Sequence, residues 1–98
     1  MADVMNQKEI DDALVSLPGW RYDDNKLVRD VPVEADSQDT LERAVMEVED
    51  KLNHHPEVER REGQMRFQLW THSAGGVTAK DVELAARIDQ TLSGPVQD

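Results

Sequence analysis

The chain has 98 residues, 38% hydrophobic and 33% charged, with 21 acidic against 11 basic side chains and a net charge of −10. That length suits one domain with a single core, and the composition excludes both a disordered acidic tail and a membrane-embedded chain. The acidity opposes direct binding to nucleic-acid phosphates or anionic membrane surfaces, and the absence of cysteine removes disulfides, thiolate metal sites and a cysteine nucleophile.

Asn6 followed by Glu9 predicts a capping box at the start of a helix over Gln7–Ser16, with Ile10, Leu14 and Leu17 along one apolar edge. Pro18-Gly19 ends it. Trp20-Arg21-Tyr22 and Leu27–Val33 alternate as strands, and Asp23-Asp24-Asn25 between them predicts a hairpin whose second strand ends at an edge or bulge by Pro32. The polar stretch Glu34–Asp39 leads into the strongest helical pattern, where Leu41, Ala44, Val45, Val48 and Leu52 recur at spacings of three and four. Pro56 stops this helix near Asn53-His54. Glu57–Arg61 reads as a short strand, Gly63-Gln64 as a turn and Met65–Trp70 as a clearer strand. After the loop Thr71–Gly76, Thr78 and Asp81 form the capping signature of a last helix striped by Val82, Ala85, Ile88 and Leu92. Ser93-Gly94-Pro95 breaks that helix, and Pro95–Asp98 reads as a frayed tail.

The order α-β-β-α-β-β-α predicts an α+β fold, a four-stranded antiparallel sheet with three helices packed on one face. One domain is expected over residues 1–98, with its core at about 7–92. Two open sheet edges predict a homo-oligomer, a dimer or tetramer formed by edge pairing. No apolar run approaches a membrane span and Met1–Ile10 lacks a signal-peptide pattern, so no membrane association and a cytoplasmic address are expected.

The three histidines, His54, His55 and His72, all lie at element ends. Read structurally, the first two cap the last carbonyls of the central helix and the third fills a loop. Read chemically, they are three side chains that exchange protons near neutral pH, with the acids Asp50 and Glu57 close in sequence to favour the charged form. A metal site is not expected, because adjacent helical histidines point about 100° apart and no helical His-x-x-x-His pair is present. Gly75-Gly76 lacks the spacing of a nucleotide loop and supplies a sharp turn. Asp81 reads first as a helix-capping acid, with any catalytic duty second.

Asn53-His54-His55-Pro56-Glu57, with His72 seventeen residues after His55 in Thr-His-Ser-Ala-Gly-Gly-Val-Thr-Ala-Lys-Asp, resembles the signature of the pterin-4a-carbinolamine dehydratase family. Asp50, four residues before the first histidine, and Asp81 belong to the same pattern. Leu17-Pro18-Gly19-Trp20 and Leu84-Ala85-Ala86-Arg87-Ile88-Asp89 also look like family segments, so the resemblance runs from about Ile10 to Leu92. It implies the fold just described, oligomers that join sheets, a pterin pocket lined by the three histidines, and neither metal nor organic cofactor. The implied reaction is dehydration of 4a-hydroxytetrahydrobiopterin, the spent cofactor of aromatic amino-acid hydroxylases. Carried across, His54 and His72 form the acid/base pair and His55 holds the pterin. Asp50, Glu57 and Asp81 bind or orient, and Trp20 packs near the first hairpin.

The chain departs from the family pattern at Glu62, where relatives usually carry an aromatic residue. An acid facing inward there would subtract apolar contact and add charge. The alternative implied by that departure is a binding protein on the same fold, either a transcriptional partner or an assembly factor for the carbon-fixing enzyme of carboxysomes.

Overall fold

In the computed structural model, which describes residues 3–93, the chain runs α1 (Gln7–Leu14), β1 (Arg21–Asp23), β2 (Lys26–Pro32), α2 (Ala35–Leu52), β3 (Glu57–Arg61), β4 (Gln64–Leu69) and α3 (Ala79–Ser93). This is the α+β order expected from the sequence. The strands form one antiparallel sheet in the spatial order β1-β2-β4-β3, which leaves β1 and β3 at its edges.

Register explains why one face is apolar. Leu27 pairs with Leu69, Arg29 with Phe67 and Val31 with Met65, so these residues share the side on which the helices lie. There Leu27, Val31, Met65, Phe67 and Leu69 pack with Ile10, Val45, Leu84, Ala85 and Ile88 in one cluster. The intervening pairs, Val28 with Gln68 and Asp30 with Arg66, form the other face. Arg66 grips Asp30 through Nε and Nη2 at 2.7 and 3.2 Å, and Arg21 adds a third contact at 3.3 Å. The Arg66 guanidinium holds the Asp30 carboxyl below the usual carboxylate range.

Several boundaries differ from the sequence reading, each for a local reason. The Asn6–Glu9 capping box is present with both bonds at 2.9 Å, but α1 ends at Leu14. The polar stretch before Leu41 is already helical from Ala35, because Gln38 is buried and its amide is consumed by backbone carbonyls of Val33, Arg61 and Gln64. Gln64 begins β4, and the turn is made by Glu62-Gly63 with Gly63 at φ +75°.

Trp20 lies outside β1 and is 5% exposed. Its indole Nε1 donates to Asp89 Oδ1 at 2.8 Å, and Arg29 Nη1 donates to the same oxygen at 2.7 Å. A Cβ on Gly19 would fall 2.7 Å from the Arg29 guanidinium, so a side chain there would push the end of Arg29 from its present place. The expected tail Pro95–Asp98 lies outside the described residues. Among those described, no helix is long and apolar enough to cross a membrane.

Candidate active site

The site forms where α2 ends, β4 ends and α3 begins. Asn53 closes α2 in the left-handed conformation, φ 52° and ψ 43°, which asparagine tolerates better than most residues. The chain turns sharply there. His54 and His55 therefore leave the helix in different directions, although they are adjacent in sequence. His54 meets α3, its Nε2 lying 2.5 Å from Asp81 Oδ1. His55 folds back on α2, its Nδ1 lying 2.9 Å from Glu49 Oε1.

Asp81 is fully buried and its second oxygen is equally occupied. Oδ2 accepts from the Thr78 backbone N–H at 2.8 Å and from the Thr71 hydroxyl at 2.9 Å. The capping role read from the sequence and the histidine contact are thus served by different oxygens of one carboxylate. Thr71 reaches it because a Thr71–Gly76 bridge, with Gly75 at φ +78°, closes the loop after β4. A hydroxyl pair at 2.7 Å joins Thr71 to Thr78.

His72 has a different support. Its ring stacks on the Trp70 indole at 4.3 Å between centroids and 20° between planes, and Lys26 Nζ stands 4.4 Å from the same indole. All three imidazoles line one open cleft of about 420 Å³, together with Asn53, Trp70, Thr71, Ser73 and Lys80. That volume lies in the range of small-molecule sites. A larger cavity of about 550 Å³ lies between β2, α2 and α3, but its sole ionisable lining group is Arg29, already paired with Asp89. Chemistry therefore favours the histidine cleft.

Two of the acids singled out by spacing sit elsewhere. Asp50 is exposed on α2 and, among the described residues, makes no hydrogen bond to a histidine; Glu49 takes that place. One residue along a helix rotates a side chain by about 100°, which is enough to exchange the buried and solvent sides. Glu57 is exposed at the start of β3 and accepts from Gln68 at 3.4 Å on the face of the sheet without helices. Glu62 is also exposed, in the β3–β4 turn at the opposite end of the hairpin from the histidines, so it neither faces the core nor approaches the cleft.

Glu49 and Trp70 were missed by the sequence reading, yet each left a signal. Glu49 falls four residues after Val45 on the apolar stripe of α2, where an acid is out of place. Trp70 closes the alternating run only two residues before His72, near enough in sequence for its ring to support that imidazole. Among the described residues, no three His, Cys, Asp or Glu side chains converge as a metal site would require.

A family model described as pterin 4 alpha carbinolamine dehydratase matches residues 3–91. A Mycolicibacterium smegmatis protein named "Putative pterin-4-alpha-carbinolamine dehydratase" is 39% identical over 92 residues, covering 92% of this chain and 97% of its own length. A Nocardia farcinica protein of the same name is 34% identical over 89 residues, covering 90% and 94%. The crystal structure of a protein described as transcriptional coactivator/pterin dehydratase, from Brucella melitensis, superposes with a TM-score of 0.85 at 25% identity, covering 94% of this chain and all of that one.

Proposed function

Because the chain belongs to the pterin-4a-carbinolamine dehydratase family, we propose that it converts 4a-hydroxytetrahydrobiopterin into quinonoid dihydrobiopterin and water by histidine general acid/base catalysis, recycling the pterin of aromatic amino-acid hydroxylases. The observation that carries this reading is the convergence of three imidazoles on one open cleft, two of them hydrogen-bonded to buried carboxylates.

The reaction makes two demands. The 4a-hydroxyl takes a proton as the C4a–O bond breaks and leaves as water, while N5 gives up its proton and that bonding pair forms the C4a=N5 double bond. One donor and one acceptor suffice, and their proton changes cancel over the cycle. His54 and His72 are the acid/base pair in this reading, and His55 holds the pterin. Asp81 orients His54 by fixing which ring nitrogen carries the bonded proton. Trp70 provides a flat wall beside His72. The pterin is itself the substrate, so the chemistry calls for no further cofactor.

The test follows decay of the 4a-hydroxypterin absorbance. Wild-type protein accelerates it over the spontaneous rate, and His72→Ala lowers that acceleration by ~100-fold or more. A wild-type rate equal to the spontaneous one removes the dehydratase reading.

A second reading, a protein-binding role, draws on the Brucella melitensis protein, which is described as a transcriptional coactivator as well as a pterin dehydratase. It predicts capture of a protein partner by a His72→Ala variant as well as by wild type. Under either reading the open edges β1 and β3 are the proposed surfaces of a homodimer or homotetramer. The proposed location is the cytoplasm.

A further inference from the structure

Only one of the two carboxylates that hold cleft imidazoles lies where helix energetics favour an acid. Asp81 is in the first turn of α3, against the positive end of the dipole, with donors on both oxygens. Glu49 is in the last turn of α2, against the negative end. Its side chain is 10% exposed. Burial raises its carboxyl above the ordinary value; His55 opposes the rise, and the charges of Asp50 and Glu42 add to it. A leucine of similar length on this apolar stripe would avoid both penalties. An acid kept at a position that disfavours it points to a purpose other than stability.

The side-chain partner it has is His55, whose Nδ1 is 2.9 Å from Glu49 Oε1. His55 is itself 61% exposed and lines the cleft. On the strength of the dehydratase reading, we infer that Glu49 is the positioning residue for His55: it takes a hydrogen bond from Nδ1–H, which leaves Nε2 as a lone-pair acceptor for an N–H or O–H group of the pterin. The two paired histidines are then complementary. His54 is bonded through Nε2, which leaves Nδ1, whereas His55 is bonded through Nδ1, which leaves Nε2. An imidazole that accepts from the ring fixes the orientation of the bicycle, so the effect falls on substrate binding and alignment.

The experiment uses the full chain with ¹⁵N-labelled histidine, as wild type, Glu49→Gln and Glu49→Leu. Ring ¹⁵N shifts above the histidine titration range are read beside turnover and Tm. Wild type shows His55 protonated on Nδ1. Glu49→Leu loses that preference and lowers kcat/KM by about 10-fold, with Tm equal to or above wild type. Glu49→Gln, whose amide oxygen still accepts, keeps the tautomer and recovers most of kcat/KM. The inference is overturned if Glu49→Leu keeps the Nδ1–H tautomer, or if its tautomer changes while kcat/KM stays within about 2-fold of wild type. A drop in Tm with an unchanged tautomer also overturns it, by showing an anchor of structure alone. Absence of turnover in wild type counts against the dehydratase reading, while the ring shifts still report on Glu49.

Discussion

At the end of the sheet where β2 stops and the β3–β4 turn returns, Gln38 buries an amide whose Nε2 reaches the carbonyls of Val33, Arg61 and Gln64 at 3.0, 2.7 and 3.3 Å. At the other end, Asp81 buries a carboxylate that gathers a backbone N–H, a threonine hydroxyl and the His54 ring. Both side chains join segments distant in sequence, and both are more than nine-tenths buried. They differ in what they hold. Gln38 gives its amide N–H groups to backbone carbonyls where strands end, which is architecture. Asp81 divides itself between architecture and a titratable ring that opens onto a cleft. Burial of a polar group is therefore no sign of function by itself; the sign is a titratable partner that has access to solvent.

That contrast is tested most severely at Asp81. Asp81→Asn places an N–H₂ group among donors, so activity falls by ~100-fold or more and thermal unfolding shifts downward together. Retention of turnover would reduce Asp81 to a second Gln38. At the other end, Gln38→Ala removes these buried amide–carbonyl bonds and costs about 1–3 kcal/mol, a Tm drop of roughly 5–15 °C. Turnover per folded molecule at 25 °C stays within about 2-fold, and a larger kinetic loss would show that the two ends are coupled. The smallest effect is expected at Glu62, which shares the Gln38 end but is exposed. Glu62→Phe shifts stability by less than about 0.5 kcal/mol and leaves kcat/KM unchanged.

The elements and their order were legible because they rest on short-range signals. Asn6 with Glu9, the three-four spacing from Leu41 to Leu52, and the alternation of Met65, Phe67 and Leu69 each carry their own geometry. So were the histidines, through a resemblance concentrated in one contiguous stretch. The partners of those histidines were harder to read. Spacing from the histidines pointed to Asp50, whereas the choice between neighbours on a helix follows the apolar stripe, which carries Glu49 and leaves Asp50 to solvent. Gln38 looked like surface because its acceptors are 5, 23 and 26 residues away. Trp20 was assigned to packing, while its bond to Asp89, 69 residues distant, was invisible to any window.

The bonds from Trp20 and Arg29 to Asp89 also hold the helix that carries Asp81. Asp89 and Asp81 are eight residues apart on α3, about 12 Å along one rigid rod. One end of the rod is moored to the first hairpin, and the other carries the oxygen that His54 meets. A side chain at Gly19 would displace the Arg29 guanidinium from this mooring, while the Trp20 bond to Asp89 still ties the rod to the start of the first hairpin.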